Sequence, residues 1–218
     1  MERYFNYNIA RYRFVALISD LFGHDLQLLH ELLATEYSFF SEPGKDSDTI
    51  FHQKFYDKMR SGWSEFVGTY ARFIRERIAP IVDAKDEIIY QTWPSFRVHL
   101  PGNVAVGGWH KDSDYNHPLG EVNFVVAITP MFESNATIAE RTPGTLDFHH
   151  FTMTPGQIVM FDGNQCIHGN LPNTTGKTRV SFDFRVLPSA CYNPDHGLTS
   201  LSKGNKFLIG HYYQRMSL

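Results

Sequence analysis

Residues 179–186 read RVSFDFRV. Successive side chains of an extended chain point to opposite faces. Arg179, Ser181, Asp183 and Arg185 therefore share one face, and Val180, Phe182, Phe184 and Val186 share the other. Residues 121–129, EVNFVVAIT, split the same way: Glu121, Asn123, Val125, Ala127 and Thr129 against Val122, Phe124, Val126 and Ile128. So do Ser95, Arg97 and His99 against Phe96, Val98 and Leu100. A sheet with one solvated face gives such a pattern too. Three strands of this kind around a set of metal-type residues point instead to polar faces lining a shared interior. Their apolar backs then need helices to cover them.

Working outward, short segments rich in β-branched and aromatic residues recur near 88–100, 104–112, 121–129, 135–141, 146–151, 157–162, 166–171 and 178–187. Turn residues separate them, among them Pro101-Gly102-Asn103, Thr142-Pro143-Gly144, Pro155-Gly156 and Asp162-Gly163-Asn164. Strands spaced by such turns predict a sandwich or jelly roll. The stretch before residue 88 reads as helical. Val15, Ile18, Leu21, Phe22, Leu26, Leu29 and Leu33 recur at three- and four-residue spacing, interrupted at Gly23. Residues 41–48, SEPGKDSD, form a turn-rich break. Phe51, Phe55, Met59, Trp63, Phe66, Tyr70, Phe73, Ile74 and Ile78 then form one face of a long amphipathic helix that Pro80 stops. Gly62 and Gly68 weaken its interior and allow a break there.

The expected fold is mostly β with N-terminal helices, α+β in class. A single domain covers 1–218, with a helical support over 1–87, a β core over 88–187 and a C-terminal extension over 188–218 that serves as a lid, a dimer contact or a helix packed on the core. A net charge of −3 without a basic run argues against nucleic acid or an anionic membrane as partner. The apolar run Phe14–Ile18 is too short for a signal segment or a membrane span. With only Cys166 and Cys191, no disulfide framework is expected, and a reducing cytoplasm is the default location.

His110-Lys111-Asp112 is the strongest chemical signal. On a strand or at its end, a two-residue spacing projects His110 and Asp112 to one side. His168 arrives from a later strand, in Cys166-Ile167-His168-Gly169-Asn170. Two imidazoles and one carboxylate suit Fe(II) and leave three positions open. Zinc hydrolases also mix His and Asp ligands, and His-x-Asp pairs arise by chance. Gly107-Gly108 before the pair, a turn after it, and the distal His and Arg strand add weight.

These residues resemble the Fe(II)/2-oxoglutarate-dependent oxygenase superfamily. The stretch PGQIVMFDGNQCIHGNLPNTTGKTRVSFDFRV, with VNF upstream, looks most like its StrG-like subgroup. The resemblance spans roughly residues 88 to 187. It implies a double-stranded β-helix (jelly roll, cupin-like) core. It implies His110, Asp112 and His168 as iron ligands and catalytic centre. Arg179, about ten residues past the distal His, would anchor the 2-oxoglutarate C5 carboxylate with Ser181 as helper. Arg185 competes for that role from the same face. Asn123 would donate to the C1 carboxylate, support a ligand from behind, or simply bridge the barrel. Cofactors so implied are Fe(II), 2-oxoglutarate and O2, with succinate and CO2 released and a substrate C–H bond hydroxylated. Because Asp112 is present, halogenation is disfavoured, whereas desaturation, epimerisation and cyclisation stay open.

The substrate-side candidates are Arg97, His99, Glu121, Glu140, Asp183 and Arg185, whose mixed charges suit a small polar or zwitterionic molecule. Arg97 and His99 equally suit an ion-pair network with Glu121 or Asp183. Trp109 is read as packing. Asp114 and His117 are read as loop residues near the entrance, His149-His150 as structural, and Cys166 as without a chemical role. A cupin-like metal enzyme that does not use 2-oxoglutarate, and a ligand-binding barrel without turnover, are the competing readings. A homodimer is compatible with the sequence.

Overall fold

Phe96, Phe124, Phe182 and Phe184 are all buried on the back of one antiparallel sheet. In the computed structural model, which describes residues 2–33, 49–105, 108–201 and 204–218, this sheet has seven strands. They are β1 (Arg3–Asn6), β2 (Glu87–Gln91), β3 (Ser95–His99), β4 (Val122–Ala127), β7 (Gln157–Phe161), β9 (Arg179–Leu187) and β10 (Tyr213–Ser217). The order is β1-β7-β4-β9-β2-β10, and β3 also pairs with β9. A smaller sheet, β6-β5-β8, is built from β5 (Ile138–Glu140), β6 (Phe148–His150) and β8 (His168–Gly169).

Strand β9 is the hub. Its residues 181–186 pair with β4, while its other edge pairs with β3 and then β2. That register sets His99 opposite Arg179, Arg97 opposite Ser181, and Asn123 opposite Arg185. The polar residues of three strands therefore meet on one face, as their alternation requires.

Helices cover the other face. They are α1 (Phe14–Phe22), α2 (Ile50–Arg60) and α3 (Ser64–Phe73). Phe55 stacks on Phe96 with centroids 4.2 Å apart, Phe14 meets Phe182 edge-on at 5.0 Å, and Tyr70 meets Phe184 at 5.5 Å. Helix residues and strand residues form one continuous apolar cluster, so the helical stripe is complementary to the Phe/Val backs of β3, β4 and β9.

The structure realises the break that Gly62 allowed in the helical stripe and departs from the sequence expectation elsewhere. The stripe from Phe51 to Ile78 is not one helix. It breaks at Ser61–Trp63, where Gly62 takes a φ of 86°, a conformation cheap only for glycine. Pro80 does not stop the helical path, which continues through a π-turn over Ile74–Ile78 into α4 (Ala79–Ile81). Proline is tolerated there because it sits at the first turn of α4, where its missing N–H is not needed. The N-terminus opens with strand β1, which pairs with β7 through an aromatic-containing Arg-Tyr-Phe-Asn stretch. The C-terminal extension ends in β10, an edge strand on β2. Residues 104–112 form no strand among the described residues: His110 makes an isolated bridge to His168, and Asp112 starts a 3₁₀ turn over Asp112–Tyr115. The Asp114 carboxylate accepts the Lys111 N–H at 2.9 Å and caps that turn. The expected break at 41–48 lies outside the described residues. No helix among the described residues is long and apolar enough to cross a membrane.

Candidate metal centre

His110 and His168 face each other across the isolated bridge. Their backbones exchange two hydrogen bonds, His110 N–H to His168 O at 3.1 Å and His168 N–H to His110 O at 2.9 Å. Their rings lie 4.5 Å apart, centroid to centroid. His110 Nδ1 is 2.6 Å from the Gly108 carbonyl, and His168 Nδ1 is 3.0 Å from that of Cys166. A carbonyl only accepts, so each Nδ1 carries the proton and each Nε2 keeps a free lone pair. Both Nε2 atoms point at Asp112 Oδ1, at 3.6 and 3.7 Å. Donor atoms of the three residues all lie within 4.8 Å of one another. This set fits a divalent cation of the iron type: neutral imidazoles, one carboxylate oxygen, and outer hydrogen bonds that fix each ring.

Asp112 is delivered by its turn. Its N–H donates to Gly163 O at 2.9 Å, and the Ser113 N–H reaches Asn164 O at 3.3 Å. Asn164 Nδ2 in turn donates to Pro118 O at 3.0 Å. The Asp162-Gly163-Asn164 turn thus holds the loop that carries the carboxylate. Burial opposes ionisation of Asp112, but the Arg185 guanidinium outweighs it and holds the carboxyl well below its usual range. Burial pushes the His168 imidazole down, against the attraction of Asp112.

A polar cavity opens beside the triad. Its wall includes His110, His168, Asn123, Arg97, Arg179, Ser181, Asp183 and Arg185. Arg179 is 2% exposed; its Nε donates to Asn135 O at 3.1 Å and its Nη1 to Ser181 Oγ at 2.8 Å. Asn123 Nδ2 donates to Asp112 Oδ2 at 2.6 Å. Arg97 pairs with Asp183 at 2.6 Å, and Asp183 pairs with Arg185 at 2.6 Å. Arg185 also reaches Asp112 Oδ2 through Nε and Nη2, each at 3.0 Å. One chain of alternating charge, half-buried at Arg97 and Asp183 and buried at Arg185 and Asp112, therefore runs from Arg97 to the triad.

The remaining candidates do not line this cavity. His99 is fully buried, with Nε2 2.9 Å from Asn103 O and Nδ1 3.2 Å from Asn135 O. Glu121 accepts from His117 Nδ1 at 2.6 Å and from the Tyr213 hydroxyl. His117 and Glu121 also come within reach of Asp112, so the loop past the motif backs the carboxylate rather than the entrance. Glu140 accepts backbone N–H groups of Gly144, Leu146 and Ile167, and the last of these, at 2.8 Å, pins the residue before His168. Asp114 caps the Asp112 turn, as described. Trp109 is half exposed, lies over Gly169 and meets Phe148 edge-on at 5.0 Å. His149 pairs with Glu2, while His150 Nδ1 faces Glu133 O. Cys166 is buried, and burial pushes its thiol up to about 11.

His99 makes stability pH-dependent. Burial, and then the Arg179 charge, push its imidazole down to about 4. The unfolded chain takes up this proton near pH 6.5, before the folded chain does. The contribution is therefore intact above about pH 6.5, erodes as pH falls toward about 4, and erodes no further below that. Urea unfolding of the wild type and of His99→Gln at pH 7, 5.5 and 4.5 measures it. The wild type is expected to lose more stability across this window than the variant. Parallel losses would contradict the assignment.

Two histidines and a carboxylate converge beside a β-sheet cavity, with an arginine beyond the distal histidine, an arrangement that resembles the one expected of Fe(II)/2-oxoglutarate-dependent oxygenases, enzymes that use Fe(II), 2-oxoglutarate and O2. The chain is 34% identical over 168 residues to the streptomycin biosynthesis protein StrG of Streptomyces griseus, covering 77% of each chain. It belongs to the same family as StrG. No protein-family model matches the chain. Solved structures similar to it include the non-haem α-ketoglutarate-dependent carbocyclase SnoK from nogalamycin biosynthesis (TM-score 0.48, 11% identity, 71% of this chain and 73% of that one). Others are AviO1 from Streptomyces viridochromogenes (0.43, 14%, 85% and 86%) and a Pseudomonas putida prolyl-4-hydroxylase (0.41, 12%, 86% and 92%). At these scores and identities the likenesses carry no argument, and the StrG relative shows the family alone.

Proposed function

We propose that the chain is an Fe(II)/2-oxoglutarate-dependent dioxygenase that hydroxylates a C–H bond of a small polar metabolite or natural-product intermediate, with succinate and CO2 as co-products. The observation that carries this is the convergence of His110 Nε2, His168 Nε2 and Asp112 Oδ1 beside a cavity that also holds Arg179. Bound iron would activate O2, the oxidant, with two electrons drawn from the oxidative decarboxylation of 2-oxoglutarate; the chain supplies binding, orientation and exclusion of water. The two sheets are read as the halves of a double-stranded β-helix, and 1–218 as one domain, because helices and strands share a core.

Each residue then has a task. His110, His168 and Asp112 hold the metal through three donors on one side. Arg179 offers a planar, permanently charged group to the far carboxylate of the cosubstrate, and Ser181 holds it in that orientation. Arg97 and Asp183 face the cavity as a paired cation and anion, which favours a prime substrate with both donor and acceptor groups. Phe161 and Val125 supply the apolar part of the wall. The streptomycin biosynthesis relative supports a natural-product substrate.

Anaerobic addition of Fe(II) and 2-oxoglutarate tests the reading. A visible charge-transfer band is expected, dependent on both additions. Metal bound at the triad with no such band would leave the cupin-like alternative.

A further inference from the structure

The two oxygens of Asp112 are used unequally. Oδ1 faces the two Nε2 atoms, whereas Oδ2 accepts from Asn123 Nδ2 at 2.6 Å and from Arg185 Nε and Nη2 at 3.0 Å each. Three N–H donors saturate the lone pairs of one oxygen and leave it nothing to offer a cation. We propose, resting on the iron reading of the triad, that Arg185 and Asn123 are positioning residues that force Asp112 to ligate through Oδ1 alone.

The consequence is a coordination count. A carboxylate that swung to bind through both oxygens would occupy two positions. Held by one oxygen, it leaves three open, the number needed by a two-point cosubstrate and one further small ligand. Arg185 is suited to the task because its Nε and Nη2 form the fork that grips one oxygen. It is braced against leaving: its Nη1 donates to Asp183 Oδ2 at 2.6 Å, and Asp183 is held from its far side by Arg97 Nε at 2.6 Å. This commitment also withdraws Arg185 from cosubstrate binding, which leaves Arg179 for that role.

Gly163 belongs to the same device. A Cβ at this position would lie 2.6 Å from Asn123 Nδ2 and 2.7 Å from its Cγ. The same residue accepts the Asp112 N–H through its carbonyl. Only a residue without a side chain lets the Asn123 amide reach Asp112 while its backbone holds the Asp112 turn. Gly163 does not have a positive φ, so the requirement is close approach rather than backbone conformation.

The test uses Co(II) as a spectroscopic probe in the full-length, metal-free protein, with no turnover involved. Arg185→Met, Asn123→Ala and Gly163→Ala are compared with the wild type by Co(II) affinity and by the visible absorption of the bound ion. Affinity is expected to fall roughly 10–100-fold in each variant, the cost typical of losing an outer hydrogen-bond partner. The absorption of the bound ion is expected to change in band position and intensity, because a second carboxylate oxygen alters the coordination number. Gly163→Ala should reproduce the change seen in Asn123→Ala although it removes no side chain. Lowered thermal stability with an unchanged spectrum and affinity would mean a structural role only and would overturn the proposal. If Arg185→Met does not fold, the other two variants decide by the same readouts. Co(II) binding that is indifferent to His110→Ala would sink the triad, and this inference with it. Binding that needs His110 but is unaltered in all three variants would sink this inference alone.

Discussion

His110→Ala is expected to remove tight metal binding and reduce turnover to background while leaving the fold intact. On the proposed reading His110 supplies one of three donors, and the remaining His168–Asp112 pair would be a poor site for a labile divalent ion. The loss should exceed the roughly 10–100-fold that an outer-shell partner costs. Of the three proposed ligands, His110 is also the one whose removal harms the structure least. Its ring is partly exposed, and its Nδ1 bonds to the carbonyl of the nearby Gly108. The backbone bridge to His168 survives the substitution, because both of its hydrogen bonds are main-chain. His168→Ala is a harsher test, since that ring is buried against Phe161 at 5.4 Å. Anaerobic Fe(II) titration, the charge-transfer band and the unfolding midpoint separate these effects. A variant that kept full Fe(II) affinity and the band would show that the metal lies elsewhere.

Much of this site was legible because strand alternation is a local property. RVSFDFRV states its two faces in eight residues, and the structure places Phe182 and Phe184 in the core and Arg179, Ser181, Asp183 and Arg185 on the cavity wall. The clustering of His110, Asp112 and His168 was legible for another reason: that residue set is a familiar pattern of metal ligands. What was not legible depends on contacts between distant segments. Arg185 and Asp112 are 73 residues apart, and nothing local to either announces their pairing. The parity of β9 placed Arg179 and Arg185 on one face without saying which of them was already engaged. Gly163 read simply as a turn residue, because its close approach to Asn123 exists only in the folded state. The edge strands β1 and β10 escaped notice because short strands with mixed faces carry little periodicity, and pairing with β7 and β2 supplies their order. The strand expected at 104–112 failed where turn chemistry overrode it. His110 and Asp112 meet because the chain bends at a capped 3₁₀ turn, whereas the extended reading relied on a two-residue repeat.

Arg179→Met is expected to weaken 2-oxoglutarate binding by about 2–5 kcal/mol, roughly 30-fold or more, while Fe(II) affinity stays close to that of the wild type. The separation follows from position. Arg179 sits at the far end of β9 from Arg185 and bonds to Asn135 O and Ser181 Oγ, neither of which touches the triad. Arg185 spends its Nε and Nη2 on Asp112 and its Nη1 on Asp183, so altering it should register first in metal binding. A dianionic cosubstrate bound through its near end to a metal needs a cation at its far end, and a buried guanidinium retains its charge at any working pH. Arg179→Lys is the informative companion. It keeps the charge but loses the fork and the geometry that Ser181 enforces, so it should recover part of the affinity. Uncoupled succinate formation, measured against 2-oxoglutarate concentration with Fe(II) saturating, reads the effect as a raised KM with a smaller change in kcat. Should Arg179→Met leave that KM unchanged, the oxygenase reading would lose its cosubstrate anchor. The cavity would then be better described as the pocket of a metal enzyme that takes only its prime substrate.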